Sequence, residues 1–295
     1  MRRPHRDLSE RTLGFWLLVP AFLLLGVVAV YPILHLLYTS LLDLHLAYGP
    51  RGEWAGLANY RRLFEDERFW NAFEHTLLFS LATVPGAAFL GLILALLANL
   101  PFTVKWPARL GLLLPWAMPL VFTGLIFRWF FESDYGVVND WLRRLGFSPL
   151  YWLTDPRMAF WAIAASIIWK TSSFVALVLL AGLQSIPREY YEAAQVDGAG
   201  PGQSFWRITL PLLLPSFLVA LVFRTLTAFQ TFDIPYAMTG GGPGTATETL
   251  AMYIRTQSVE NLDLGYGSAL AVLLFLLCMG VTGVYLRFLT QREAE

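Results

Sequence analysis

The chain has 295 residues, of which 56% are hydrophobic and 14% charged, with 21 basic and 21 acidic side chains. Because soluble domains usually carry about 25% charged residues, this composition excludes an ordinary water-soluble fold and favours a lipid bilayer as the solvent. A net charge of zero gives no basic surface for nucleic acid, and the single cysteine, Cys278, excludes an intramolecular disulfide or a thiolate metal cluster.

Six segments are apolar over about 20 residues, the length that a helix needs to cross a bilayer. An open sheet would leave unpaired edges in lipid, and the alternation typical of an outer-membrane barrel is missing, so we expect helices. In chain order the predicted spans cover residues 14–34, 76–100, 108–131, 159–183, 212–236 and 268–289. They predict an all-α polytopic membrane protein, with one transmembrane domain over residues 14–290 between tails of residues 1–13 and 291–295.

The first predicted span follows a cluster of basic residues. Arg2, Arg3, Arg6 and Arg11 precede it, and the cytoplasmic flanks of spanning helices carry an excess of Lys and Arg. Since six spans return the chain to its starting side, we expect both termini and the loop of residues 184–211 in the cytoplasm. The apolar run is longer than the core of a secretory signal and no small-residue cleavage site follows it, so we expect it to be retained.

The loop of residues 184–211, between the fourth and fifth spans, is mostly small and polar. Pro187 fits a first helical turn, Glu189 suits the positive end of a helix, and Gly198 can adopt the left-handed conformation that ends one. These signals predict a short helix over residues 187–196, then a sharp turn and a second helix that leads into the fifth span. Alanines beside aromatic side chains favour contact with the groove of a partner.

Motifs in this loop keep a fixed spacing. Glu192-Ala193-Ala194 is followed by Gly198 and then by Ile208-x-Leu210-Pro211. This pattern resembles, without departure, the cytoplasmic loop of the permeases of binding-protein-dependent ABC importers. Further motifs resemble those of the carbohydrate-uptake permeases, specifically the family of the maltose-type first permease. They are Gly56-Leu57-x-Asn59-Tyr60, Asp66-x-x-Phe69-Trp70, Phe232-Asp233, Thr239-Gly240-Gly241-Gly242-Pro243 and Leu264-Gly265-Tyr266-Gly267-Ser268-Ala269. The resemblance covers residues 12–290, but the chain has neither the large periplasmic insertion nor the extra N-terminal spans of that permease.

The resemblance implies a type I ABC importer permease fold, in which a coupling helix between spans 4 and 5 sits in a cleft of an ATPase subunit. Carried onto this sequence, the coupling residues are Tyr191, Glu192, Ala193, Ala194, Asp197 and Gly198. The implied partners are a second homologous permease, two ATP-binding subunits and a periplasmic or lipid-anchored solute-binding protein. The implied location is the inner membrane of a prokaryote, and the implied solute is a carbohydrate, foremost a disaccharide or oligosaccharide.

Charged and polar side chains inside the spans indicate a solute path, because a charge at the bilayer centre costs several kcal/mol and tends to face a cavity or a partner. On helices, Ser166 and Ser173 share a face with Lys170, and Thr227 and Thr231 share one with Arg224. The predicted path residues are Lys170, Ser173, Arg224, Thr227, Gln230, Thr231 and Asp233. On one continuous helix Asp233 would lie about 14 Å beyond Arg224, at the outer mouth.

An alternative remains open for these residues: polar side chains also hold membrane helices together, and Lys170 can instead contact the second permease or a backbone carbonyl. Aromatic residues 129–152 fit an interfacial belt better than sugar stacking. Residues 248–258 predict a short surface helix that a binding protein can touch.

Catalytic motifs are missing from the sequence: G-x-x-x-x-G-K-[ST], H-E-x-x-H and G-x-S-x-G do not occur. We therefore expect no catalytic site, cofactor or metal, and ATP hydrolysis by partner subunits. Three other functions stay open. They are import of glycerol-phosphate or a polyol within the same family, a self-contained secondary transporter or channel, and a sensor subunit that moves no solute. A secondary transporter would show an internal repeat of spans, which we do not find.

Overall fold

A computed structural model describes residues 10–100 and 106–293. Arg2, Arg3, Arg6 and Lys105, and parts of both predicted tails, lie outside these residues. The helices are α1 Glu10–Leu25, α2 Tyr31–Ser40, α3 Ala58–Glu65, α4 Glu67–Asn99, α5 Trp106–Ala117, α6 Leu120–Phe130, α7 Val137–Arg144, α8 Pro156–Ser185, α9 Arg188–Val196, α10 Pro201–Ser204, α11 Leu210–Phe229, α12 Asp233–Thr239, α13 Leu250–Arg255 and α14 Leu264–Glu293. π-Helical turns are Gly26–Val30, Phe205–Thr209 and Thr256–Glu260, and strands β1 Leu42–Asp43 and β2 Glu53–Trp54 form an antiparallel hairpin.

The expectation of an almost entirely helical membrane protein is confirmed. Within the described residues, five helices are long and apolar enough to cross a bilayer: Gly14–Ser40, Glu67–Asn99, Pro156–Ser185, Pro201–Phe229 and Leu264–Tyr285. A sixth span exists if the bent pair Leu110–Ala117 and Leu120–Phe130 counts as one crossing. The two strands are the departure from an all-helical chain.

The third predicted span, residues 108–131, is wrong as a continuous helix. The chain breaks between α5 and α6, which meet at 98°. Pro119 causes the break, because its ring removes a backbone N–H and disfavours helical dihedrals at the residue before it.

The fifth predicted span, residues 212–236, is wrong at its end. The helix that leads into it begins at Pro201, as the predicted second helix of the loop requires, but α11 ends at Phe229, before a new helix, α12, begins at Asp233. Pro235 accounts for the second break, since a helix running through it would bring its ring against the carbonyl of Thr231. Neither Thr231 nor Asp233 therefore continues the helix that carries Arg224.

The chain divides into two compact units. The first contains Met1–Glu65 and Thr256–Leu273. Between Gly14 and Tyr38 no residue is fully buried, so this apolar helix is not part of a core in its own unit. Beyond it, the Asn59 amide donates to the carbonyls of Ser40 at 3.0 Å and Leu42 at 2.8 Å.

In the same unit the Arg62 guanidinium donates to the Asp263 carboxylate at 2.7 Å and lies 4.1 Å from the ring centroid of Tyr266. Gly265 contacts the carbonyl of Leu42 so closely that no larger residue fits. The accessory motifs that include Asn59, Gly265 and Tyr266 therefore hold this unit together.

The second unit contains Asp66–Arg255 and Leu274–Glu295, and its centre is the packing of α4 on α8. A Cβ atom added at Gly91 would lie 2.7 Å from Val175 Cβ and 2.9 Å from the Ser172 carbonyl oxygen. Small residues at such crossings let membrane helices approach closely. This close crossing fixes the position of the α8 side chains that face α5 and α11.

The predicted surface helix over residues 248–258 is wrong in its exposure. Leu250 is fully buried in α13, and its N–H donates to Thr76 Oγ1 at 2.8 Å. Glu248 is also buried and accepts two hydrogen bonds from the Arg68 guanidinium, at 2.8 and 2.9 Å. Tyr253 Oη donates to the Asp66 carboxylate. These bonds hold residues 248–253 inside the second unit.

Candidate functional site

The loop between α8 and α11 folds as a short exposed helix with a well-formed end. Helix α9 begins at Arg188, one residue after the predicted start, with Pro187 as its N-cap. At its end the Gly198 N–H donates to the Gln195 carbonyl at 3.0 Å and the Ala199 N–H to the Ala194 carbonyl at 2.8 Å. With Gly198 at φ +78°, these bonds form a Schellman motif, as the sequence predicts for a left-handed glycine.

Exposure divides the six predicted coupling residues. Glu192, Ala193, Asp197 and Gly198 are exposed, and Ala194 is half-buried. Tyr191 instead packs against the apolar core, and its hydroxyl is 3.0 Å from Thr209 Oγ1 in the π-helical turn before α11. It therefore joins α9 to α11.

Val196, 88% exposed at the end of α9, is an apolar surface residue that the sequence analysis did not select. The sequence feature that could have identified it is an apolar side chain between the two polar residues Gln195 and Asp197, and the structure shows no buried residue on this helix.

Arg224 on α11 is 2% exposed and has no carboxylate within 4.0 Å among the residues that the structure describes. Its Nη2 donates to Thr83 Oγ1 at 2.5 Å and its Nη1 to Thr227 Oγ1 at 3.4 Å, while its Nε has no hydrogen-bond partner. A buried guanidinium held by two hydroxyls keeps an uncompensated positive charge, so the site attracts anions.

Thr83 on α4 is the contact of Arg224 that sequence analysis missed. Its signal was present, because Thr76, Ser80 and Thr83 lie on one face of α4 at helical spacing and all three are buried. This polar face is difficult to recognise in the sequence because the rest of the span is strongly hydrophobic.

Lys170 on α8 reaches the break between α5 and α6. Its Nζ donates to the carbonyl oxygens of Pro115 and Trp116, both at 2.6 Å. These are among the last carbonyls of α5, which have no partner within their own helix. The hydrogen bond to a backbone carbonyl, one of the alternatives open at the sequence level, is thus present.

Arg224 and Thr227 border two cavities. The larger, of about 540 Å³, is also lined by Lys170, Thr171 and three aromatic residues, Trp116, Phe174 and Phe223. The smaller, of about 90 Å³, is bordered as well by Gln230, Thr231 and Asp233. The break after α11 therefore brings Asp233 to the same small cavity as Arg224, and its placement at the outer mouth stays a prediction.

Six of the seven predicted path residues thus border at least one of these two cavities, which share Arg224 and Thr227, although neither cavity is lined by all six. Ser173 lies on a third cavity of about 420 Å³, beside Trp169 and Leu112, and does not border the cavities of Arg224. Aromatic residues and Thr171 join the set instead. No group of three or more His, Cys, Asp or Glu side chains in residues 10–100 and 106–293 is placed to hold a metal ion.

Comparison with known proteins places these features in a family. The family described as "Binding-protein-dependent transport system inner membrane component" matches residues 87–293. The chain is 60% identical to the sulfoquinovosyl glycerol transport system permease protein SmoG of Agrobacterium fabrum, over 97% of this chain and 93% of that protein. It is 40% identical to the trehalose/maltose transport system permease protein MalF of Thermococcus litoralis, over 94% of each.

Among solved structures, a chain of a bacterial ABC transporter involved in the import of the acidic polysaccharide alginate shares the fold. The TM-score is 0.83 at 24% identity, over 98% of this chain and 99% of the other.

Proposed function

The chain belongs to the family of binding-protein-dependent transport system inner membrane components and is a permease subunit of a carbohydrate ABC importer; we propose that it forms the solute path together with a second, homologous permease. Residues 14–290 are its transmembrane domain. The observation that carries the proposal is the exposed helix α9, closed at Gly198, within a chain whose relatives are named sugar permeases. Membership of this family argues against the alternative that the chain is a self-contained secondary transporter.

Helix α9 is the contact for one of two ATP-binding subunits. Exposed Glu192, Ala193 and Asp197 form the docking surface, and Tyr191 transmits its movement through Thr209 to α11. Since α11 carries Arg224, closure of the ATP-binding subunits changes the access to the cavities, and hydrolysis resets it. Coupling needs an element with two positions, and an exposed helix joined through Tyr191 to Thr209, at the start of α11, provides it.

The second permease covers apolar surface that this chain leaves open. The helix Gly14–Ser40 has no buried side chain before Thr39, and lipid or a partner span must cover it. Both termini lie in the cytoplasm, on the side of α9, and a periplasmic or lipid-anchored binding protein delivers solute from the opposite side of the inner membrane. Its solute is a glycoside of about two units, for which a cavity of about 540 Å³ is of ordinary size.

Two glycines provide a matched test of the coupling role. Gly198 and Gly146 both have positive φ, at +78° and +83°, and a Cβ atom at either would meet nothing within 4 Å. Valine at either position therefore introduces the same strain, about 1–2 kcal/mol, without a steric clash. Only Gly198 lies at the proposed docking helix.

The experiment is ATP-dependent uptake of labelled sulfoquinovosyl glycerol and maltose into proteoliposomes that contain the complete complex and its binding protein. Gly198→Val is expected to lower uptake about tenfold, since about 1.4 kcal/mol is a factor of ten, whereas Gly146→Val transports normally. Uptake by a complex without ATP-binding subunits, or normal uptake by Gly198→Val, would overturn the proposal.

A glycerol-phosphate or polyol permease of the same family is the second candidate. The specific observation in favour of a phosphate is the buried Arg224 guanidinium without a carboxylate partner in the described part of the chain. Glycerol-phosphate that competes fully with glycoside uptake would support it.

A further inference from the structure

We propose that the larger cavity selects a glycoside carrying an oxyanion, such as a sulfonate, and that Arg224 and Lys170 bind this group. The inference rests on the proposed function and names the solute class of the same site.

Among the described residues that line the cavity, two are cations and none is an anion. Its polar lining residues are Lys170, Thr171, Arg224 and Thr227, and the remainder is apolar or aromatic. A buried positive charge is costly unless an anion or hydrogen-bond acceptors compensate it. A neutral sugar needs only hydrogen-bond donors and acceptors, which one cation and the neighbouring hydroxyls would already supply. Two cations facing one apolar cavity fit a solute that brings a negative charge.

Arg224 retains hydrogen-bonding capacity for such a group. A guanidinium has five N–H donors, and this one bonds only to the hydroxyls of Thr83 and Thr227 in the described structure. Its Nε–H has no acceptor but is itself buried, so the remaining N–H groups of Nη1 and Nη2 are the donors for a solute. The planar, forked arrangement of these donors matches two oxygens of a sulfonate, carboxylate or phosphate, and paired charge-assisted bonds are stronger than neutral ones.

Lys170 retains one donor. Its ammonium has three N–H groups, and two are directed at the carbonyls of Pro115 and Trp116. The same two bonds fix the position of the charge at the cavity wall without neutralising it, because the carbonyls are dipoles and not anions. A solute oxyanion would thus meet a preorganised ammonium beside the Arg224 guanidinium.

Asp233 decides which of the two cavities takes the anion. It borders the smaller cavity, on which a second negative charge would be repelled, and it does not border the larger one. The larger cavity is also the one with Trp116, Phe174 and Phe223, which supply apolar faces for a sugar ring. Charge and shape therefore assign anion and ring to the same cavity.

The known relatives include both kinds of cargo. One is named for a sulfoquinovosyl glycerol, a glycoside with a sulfonated sugar, and the other for trehalose and maltose, which are neutral. Family membership alone thus leaves the charge of the solute open, and the side chains of this chain favour the anionic kind.

The test measures direct binding to the purified permease and ATPase complex in nanodiscs, without binding protein, so that the selectivity of the permease is isolated. The probes are sulfoquinovosyl glycerol and glucosyl glycerol, which has a hydroxyl in place of the sulfonate. Wild type is expected to bind the sulfonated probe at least tenfold more tightly. Arg224→Gln should weaken that binding about 10- to 100-fold, the range for a lost charged hydrogen bond, and leave glucosyl glycerol unchanged.

Two further variants separate recognition from structure. Arg224→Lys retains the charge and should recover part of the affinity for the sulfonated probe. Arg128→Gln removes a cation from an exposed position on α6 that borders neither cavity, and it should bind both probes as wild type does.

The inference would be overturned if wild type bound both probes equally or bound neither. It would also be overturned if Arg224→Gln lost affinity for both probes to the same extent. If Arg224→Gln does not assemble, the ratio of the two probes on wild type decides alone. ATP-dependent uptake of maltose but not of the sulfonated probe would refute only this inference, whereas ATP-independent uptake would refute the proposed function.

Discussion

Replacing Lys170 by methionine tests whether its ammonium is the cap of a broken helix. The carbonyl of Pro115 would normally accept from the backbone N–H four residues later, but that residue is Pro119, which has none. The 98° bend also removes the next N–H, that of Leu120, from the carbonyl of Trp116. Lys170 Nζ donates to both carbonyls at 2.6 Å. Methionine is one heavy atom shorter but keeps an unbranched apolar chain, and it removes every donor.

The expected loss of stability comes from two buried carbonyl oxygens, those of Pro115 and Trp116, that would lose their hydrogen-bond donor. A buried carbonyl that loses its partner costs about 1–3 kcal/mol, so the pair costs about 2–6 kcal/mol. At a few degrees per kcal/mol for a chain of this size, the midpoint of thermal unfolding should fall by roughly 5–20 °C. Lys170→Arg keeps donors and charge and should lose less.

The single cysteine provides the assay. Cys278 is buried, so a thiol-reactive fluorescent dye labels it only when the chain opens, provided that the partner subunits are made free of cysteine. Arg157→Gln is the control, because it removes an exposed cation from the same helix, α8, and should melt as wild type does. A Lys170→Met complex that melts with the wild type would refute the capping role.

Two further substitutions test packing and charge in the second unit. Gly91→Val should destabilise the folded chain by about 1–3 kcal/mol and lower its yield, because the new Cβ would lie 2.7 Å from Val175 Cβ. Gly283→Val is the control on another spanning helix, because a Cβ there would meet nothing within 4 Å. Equal yields of the two variants would contradict the close crossing of α4 and α8. Arg68→Met leaves Glu248 buried at 6% exposure without its ion pair. Because Arg68 is itself half-exposed, we expect a loss of about 2 kcal/mol, below the value for a fully buried pair, seen as an earlier melting midpoint. The matched Arg61→Met breaks an exposed pair with Glu65 and should change stability by less than about 0.5 kcal/mol; a similar shift in both variants would argue against the role of burial.

The features that the sequence predicts well are local ones. Apolar length alone determines that a segment can span, and the signals for α9 lie within a dozen residues: a proline before it and Gly198 after it. Because a Schellman motif uses only backbone groups of the last helical turn, no distant contact is needed to predict it.

The features that the sequence analysis missed are the two breaks, and they depend on distant contacts. Proline is common in spanning helices, where neighbours can satisfy the carbonyls that it frees, so Pro119 and Pro235 predict either a mild kink or a complete break. The choice depends on what lies opposite. The acceptor at Pro115 finds its donor on α8, on Lys170, which no local pattern connects to it.

The second break follows the same rule as the first. Pro235 has no N–H for the carbonyl of Thr231, four residues earlier, and Thr249 Oγ1 donates to that carbonyl at 2.6 Å. In both cases a proline frees a carbonyl at its i−4 position, and a polar side chain from a remote segment caps it. Irregular backbone at membrane depth is tolerated only where protein buries it or where it lines a cavity. The cap of the first break, Lys170, therefore borders the same cavity as Arg224, and it serves structure with two of its donors while keeping a third for a solute.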